Sequence, residues 1–381
     1  MVTLNMWIWG AGEACEQLFK REIRAFNIKS PDVVIRPTLI PWRDAWDNII
    51  KVAHAEEGPD VLQIGSTWNG TLAALGVLKN ITREVKEADI TKDMFASAAW
   101  TSCCFPGTEE ISSLPWFIDL RAIYYRIDIF RELNILPEEL DTWTSFERAC
   151  GKINGFKKGA KEVGVLGVSG QTDALLLHNI APWIWGAGGD FLSLDGKRAV
   201  FNSRKVIEAL EFYTSLVAKG YIPLSALRLS TEDVGRIFFD KGGYVMSIPG
   251  PLGASTALDP TNPGYRADIA GMCLPALFPS GEAGKFIFFG GSNLAITSFS
   301  RHPQEAWEFI KFLVSYESQA SYPLLLNMFP GLMEAFNAVF IQDAPELRGL
   351  KSAWKYGRSF PNVASWGSIE SLLIQCFGKI F

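Results

Sequence analysis

The sequence has little histidine, no long apolar run and no excess of basic charge, and each shortage removes a class of function. Its 381 residues hold three histidines, His54, His178 and His302. None falls in an HExxH or similar metal-ligand spacing, so no metal site and no cofactor are expected. His54 and His302 read as helix-surface residues. The six cysteines, Cys15, Cys103, Cys104, Cys150, Cys273 and Cys376, are scattered without a CxxC pair. They read as buried free thiols, with a strained vicinal disulfide at Cys103-Cys104 left open. The formal net charge is −5, which argues against a nucleic-acid partner. No apolar run reaches the roughly 18 residues of a membrane span. The first residues, MVTLNMWIWGAGE, lack a basic n-region and a cleavage site and so read as no signal peptide. A mature form with an added Met reads the same way.

Catalytic signatures are also thin. No Walker A sequence occurs. Gly10-Ala11-Gly12 follows a strand pattern and opens a helix pattern, but Cys15 stands where a dinucleotide loop needs its third glycine. Gly167-Val168-Ser169-Gly170 approaches a hydrolase elbow, but Gln171 holds the final glycine position. In Ala181-Pro182-Trp183-Ile184-Trp185-Gly186-Ala187-Gly188-Gly189-Asp190-Phe191 the glycines are followed by an acid, which would repel a phosphate. No motif marks a carboxylate pair among the 41 acids.

What the chain does have is core-forming and aromatic mass: 48% hydrophobic residues, 13 Trp and 26 Phe. An indole is rarely a mere filler, because its N–H wants a partner. The length favours two lobes. Strand and helix patterns alternate: Val2–Trp9, a helix over 13–26, Val33–Ile40, a helix over 42–55 and a buried strand over 61–64. Ser66 or Thr67 is placed to cap a helix carrying Leu72, Leu75 and Leu78. This βαβαβα order predicts a mostly parallel sheet covered on both faces. Further on, strands are expected at 122–125, 243–248 and 293–297, and helices at 142–153, 203–219 and after Pro303. Trp183 and Trp185 differ by two on a helical stretch, so at most one can face a ligand. Trp185 is the expected platform and Trp183 the packing residue. Trp46, Trp143 and Trp307 also read as packing.

Six segments taken in order carry a resemblance. They are GPDVLQIGSTW (58–68), LPWFIDLRAIYY (114–125), TWTSF (142–146), MSIPGP (246–251), GGSNLAI (290–296) and PQEAWEFIKFL (303–313). Together the chain resembles the extracellular solute-binding proteins of bacterial ABC importers, in the carbohydrate group that includes maltose-binding protein. The resemblance implies an α/β, two-lobed periplasmic-binding-protein fold of type II, with a hinge between lobes and a ligand cleft. It implies one lobe from 1–113 plus 288–322 and another from 114–287 plus 323–381. It implies no enzyme but a monomeric carrier. Such a carrier captures a di- or oligosaccharide, closes by hinge bending and delivers it to a membrane permease. The location implied is periplasmic or extracellular, and a lipid anchor on the precursor is left open.

A pyranose has apolar C–H faces and a hydroxyl rim, so its site needs flat aromatic platforms with short polar groups around them. On the implied fold the candidates in the first half are Trp9, Glu13, Trp42, Ser66, Thr67, Trp68 and Trp116. Asp119 and Arg121 could each fork onto vicinal hydroxyls or pair with each other at the hinge. His178, Asn179, Trp185 and Gly250 come next in the chain. Gly290, Gly291 and Ser292 would let backbone approach the ligand, and Trp354 and Arg358 complete the set. Two rival readings remain: a phosphorylated polyol such as a glycerol-phosphate compound, held by Arg121 and Arg358, or a glycoside hydrolase acting on the same sugars.

Overall fold

The computed structural model describes the chain except residues 11–12, 171–173, 250–266, 271, 322–327, 342–349, 351 and 381. In chain order the elements used below are β1 (Val2–Trp9), α1 (Glu13–Lys29), β2 (Val33–Ile40), α2 (Trp42–Ala55), β3 (Val61–Gly65) and α3 (Asn69–Ala74). Then come β4 (Leu114–Leu120), β5 (Ile123–Arg126), α4 (Trp143–Ile153), β6 (Gly164–Gly167), α5 (Ala174–Gly186) and α6 (Arg204–Ala218). The rest are β7 (Tyr244–Ser247), β8 (Cys273–Ala276), β9 (Ile287–Ile296), α7 (Pro303–Leu313), β10 (Phe329–Pro330), β11 (Gly357–Arg358) and α8 (Trp366–Phe377).

The chain divides into two compact units. The first is Met1–Asp119 with Gly290–Val339 and Ser359–Gly367; the second is Leu120–Phe289 with Phe340–Arg358 and Ser368–Phe381. The C-terminal part, expected whole in one lobe, is therefore shared between them.

In the first unit the strands run in the order β10-β4-β9-β3-β1-β2. β1 lies parallel to both neighbours, with Trp9 opposite Ile40 on β2 and Trp7 opposite Leu62 on β3. β9 joins β3 antiparallel, Ser292 opposite Gly65, and β10 joins β4 antiparallel, so the sheet is mixed rather than mostly parallel. Alternation along β1 sorts its side chains to two faces. Leu4, Met6 and Ile8 pack with Phe19, Phe26, Trp307, Phe309 and Ile310 of α1 and α7. Trp9 joins Leu62, Ile64, Ala45, Ile49 and Leu72 on the side of α2 and α3.

Gly290, Gly291 and Ser292 lie within β9 and not in a loop. Gly291 has φ +140, and a Cβ there would come 2.0 Å from the Phe117 carbonyl oxygen on β4. Strand packing by itself requires glycine at this position. α3 begins after Trp68, and neither Ser66 nor Thr67 caps it by a side-chain hydrogen bond. It ends before Leu75, which is half exposed, while Leu78 bridges to Thr297 outside the helix.

The second unit holds the sheet β8-β5-β7-β6. α5 is apolar on nearly every side and is buried accordingly: Leu176, Leu177, Ile180, Trp183, Ile184 and Trp185 all lie in the core. Trp183 sits among Trp143, Phe146, Phe212, Tyr213 and Phe278. α5 stops in a glycine cap. Gly188 takes φ +90, and the Gly189 N–H donates to the Ile184 carbonyl at 2.9 Å. A Cβ on Gly281 would meet the Gly186 carbonyl oxygen at 2.3 Å, so the glycines around 186–189 serve a helix stop and close packing. Cys103, Cys104, Cys150, Cys273 and Cys376 are free thiols; Cys104 is half-buried and Cys376 exposed rather than buried, and the Cys15 side chain lies outside the described residues.

Gly291→Ala should lose roughly 3 kcal/mol or more in urea denaturation, since it combines backbone strain with overpacking against β4. Gly284→Ala, at φ +120 but with nothing within 4 Å of the added Cβ, isolates the backbone part and should cost much less. Equal losses for the two would refute the close-approach explanation.

Candidate functional site

Three adjacent parallel strands of the first unit each deliver one indole at the carboxyl end. β1 ends in Trp9, Trp42 opens α2 just beyond β2, and Trp68 comes three residues after β3. The carboxyl ends of parallel strands are where open α/β sheets place their ligands. The rings converge. Trp9 lies 6.4 Å from both Trp42 and Trp68, and Trp42 lies 5.7 Å from Trp68. Trp46, one helical turn beyond Trp42, comes 5.5 Å from Trp68. All four contacts are tilted or edge-on, the favourable aromatic geometry, worth about 0.5–1.5 kcal/mol each beyond burial. Trp9 is 4% exposed, while Trp42, Trp46 and Trp68 are each partly exposed. The result is a set of indoles that brace one another while three of them keep part of their surface exposed.

The Trp68 ring lies against the backbone of Gly65, where a Cβ would stand 3.1 Å from Cδ2. Polar support comes from Gln63, buried in an otherwise apolar strand. Its Oε1 accepts the Trp9 backbone N–H at 2.8 Å, and its Nε2 donates to Ser292 Oγ at 2.8 Å. The Ser66 N–H donates to the Gly291 carbonyl at 2.9 Å, fixing the turn that carries Ser66, Thr67 and Trp68. Trp46, expected as a packing residue, joins the cluster, and Gln63 lies outside the set of residues expected at the site. The i,i+4 spacing of Trp42 and Trp46 was the available signal for the first. A lone glutamine inside VLQIG was the signal for the second.

Trp116 stands apart from this cluster. It is 1% exposed and packs on Phe19 and Phe117, so it is core rather than a platform. Asp119, also in the first unit, is half-buried on β4. Gly250 and the Glu13 side chain lie outside the described residues.

In the second unit, Arg121 is buried, with Nη2 3.4 Å from His178 Nδ1. Arginine can only donate, so this contact requires Nδ1 as acceptor. The His178 ring stacks on Phe288, with centroids 3.8 Å apart. Burial first, and the Arg121 charge second, hold the His178 pKa well below the ordinary histidine value. Asn179, next on α5, is fully buried. Neither end of its amide is hydrogen-bonded.

Trp185 is 1% exposed. Phe191 meets it edge-on at 6.3 Å, and the Arg358 guanidinium lies 5.1 Å from its ring centroid. Arg358 is in turn ion-paired with Asp190. The indole expected as a platform is therefore a buried support for a cation. Trp354 and Tyr356 are exposed, and Lys355 lies over the Trp354 ring. Among the described residues, no group of three or more His, Cys, Asp or Glu is arranged to hold a metal ion.

The family model described as bacterial extracellular solute-binding protein matches residues 23–349. The diacetylchitobiose binding protein DasA of Streptomyces coelicolor is 25% identical over 334 residues, covering 87% of this chain and 73% of that protein. A probable ABC transporter-binding protein of Deinococcus radiodurans is 24% identical over 68% of this chain and 59% of its own length. Among solved structures, a solute-binding protein of Thermotoga lettingae bound with α-D-tagatose matches with a TM-score of 0.83 at 22% identity, covering 100% of this chain and 94% of that one. Maltose-bound MalE3 of T. maritima matches with a TM-score of 0.83 at 23% identity, covering 99% and 94%. The fold is theirs, the two-lobed α/β fold of periplasmic binding proteins. Among the described residues no helix is long and apolar enough to cross a membrane.

The depressed His178 pKa sets a pH dependence. The unfolded chain takes up a proton at His178 near pH 6.5 and the folded chain does not. The stability it contributes is therefore whole above that pH and declines as pH falls, by up to about 1.4 kcal/mol per pH unit. His178→Gln should flatten the urea-denaturation profile between pH 7 and 5 relative to the unsubstituted protein. Parallel profiles would contradict a neutral buried imidazole.

Proposed function

We propose a carbohydrate as the solute of this chain, which belongs to the bacterial extracellular solute-binding proteins. The observation that carries the reading is the convergence of Trp9, Trp42, Trp46 and Trp68 at the carboxyl ends of β1, β2 and β3. Indole faces match the apolar C–H faces of a pyranose, and a surface of several indoles suits more than one ring. A di- or oligosaccharide is therefore the preferred ligand. The ligands named for its relatives, diacetylchitobiose, maltose and tagatose, support the same class.

A phosphorylated polyol fits less well. Such a ligand needs several available cations. Arg358 is engaged by Asp190 and lies over Trp185, and Arg121 is buried beside His178. In this reading the chain performs no chemistry on the sugar. It acts outside the cytoplasm as a monomer, releases its ligand to the permease of an ABC importer after hinge closure, and uses no cofactor.

Isothermal calorimetry across maltose, maltotriose, diacetylchitobiose and their monosaccharides should find at least one oligomer bound more tightly than its monomer. Trp68→Ala should weaken that binding by about 30-fold or more, the scale of a central aromatic anchor. Chromatography of the incubated sugar should show it intact. A flat panel would overturn the proposal, and released monosaccharide would restore the hydrolase reading.

A further inference from the structure

The segment Ser359–Gly367 belongs to the first unit, while the chain on both sides of it belongs to the second. It is held to the first unit by contacts on α3 and on the chain at 101–104. Asn362 Nδ2 donates to the carbonyls of Thr101 at 3.0 Å and Cys104 at 2.7 Å. Phe360 and Trp366 stack at 4.9 Å. A Cβ on Gly70, in the first turn of α3, would come 2.6 Å from Asn362 Oδ1 and 2.7 Å from the Val363 carbonyl oxygen. The Gly367 N–H, at the start of α8, donates to Thr71 Oγ1 at 3.1 Å. The segment thus rests on Gly70 and Thr71, the residues just beyond Trp68.

Its last residue reaches the indole cluster itself. A Cβ on Gly367 would stand 2.9 Å from both Cη2 and Cζ2 of Trp46, closer than real Cβ contacts allow. Gly367 does not take a positive φ, so glycine is needed here for space and not for backbone conformation. The atoms it abuts are the outer edge of the Trp46 ring. That ring in turn meets Trp68 at 5.5 Å, and Trp68 has the backbone of Gly65 behind it. A ring pushed at its edge cannot move without changing how it meets Trp68.

We propose that Gly367 is a positioning residue for saccharide binding: the missing Cβ lets the start of α8 lie against Trp46 and so fixes the angle at which Trp46 and Trp68 present their faces. The proposal rests on the reading of the tryptophan cluster as the sugar surface. Binding geometry tolerates displacements of only about 0.5 Å, so the shift forced by one methyl group is large enough to register in affinity.

The test is a double-mutant cycle on the full chain with Gly367→Ala, Trp46→Phe and both together. Phenylalanine lacks the outer ring edge that the added methyl would strike. Two readouts are taken: near-ultraviolet circular dichroism of the sugar-free protein, which reports coupling between indoles, and calorimetric affinity for maltose and for diacetylchitobiose. Gly367→Ala should alter the dichroism and weaken binding about tenfold, Trp46→Phe should weaken it about threefold, and the double variant should match Trp46→Phe alone. Additive losses, or a Gly367→Ala protein like the unsubstituted one in both readouts, would overturn the proposal. If Gly367→Ala alone does not fold, the double variant should fold; failure of both would also overturn it. Should neither sugar bind the unsubstituted protein, the sugar reading falls, and the dichroism still decides whether Gly367 sets the ring geometry.

Discussion

Everything proposed for this protein depends on one constraint: the parallel pairing of β1 with both β2 and β3. Parallel strands put their carboxyl ends on one side of the sheet, so the residues at and just past those ends must meet there. Here each of the three ends carries an indole. The pairing of Trp9 with Ile40 and of Trp7 with Leu62 brings those ends level. A one-residue slip would reverse the facing of every side chain along β1 and take Trp9 away from Trp42 and Trp68. The polar contacts serve the same geometry, because Gln63 ties the end of β1 to Ser292 on β9 through a side chain buried in β3.

Glycine does different work in this fold from what its clustering suggests. Gly291 admits the Phe117 carbonyl, Gly281 admits that of Gly186, and Gly188 ends a helix. Each is used where two backbones touch or a chain reverses. A glycine-rich stretch in a sequence marks close approach, but the approaching group is as easily another strand as a phosphate or a sugar.

Most elements could be read from periodicity, and the order of the first three strands and helices came out of it directly. The parallel sheet did not extend as far as expected, because β9 and β10 return antiparallel from distant parts of the chain, and local pattern carries no information on direction. Side-chain roles were harder. Trp9 and Trp68 were expected together because strand ends predict their place, and the structure brings both rings, with that of Trp42, to one side of the sheet. Trp185 was misassigned because α5 is apolar all round, so no empty face showed which indole would be covered. Its cover, Arg358, is far away along the sequence. Trp116 fell to the core for a related reason: strand alternation says that a residue faces one side of a sheet, but not that helix α1 closes that side with Phe19.

The most direct measurement is the shift of the indole N–H resonances when a disaccharide is added to tryptophan-labelled protein. The account predicts that the resonances of Trp9, Trp42, Trp46 and Trp68, assigned by single substitution, move together and saturably, while those of Trp116 and Trp183 stay in place. A saccharide that binds without moving the four, or that moves the buried pair instead, would contradict it.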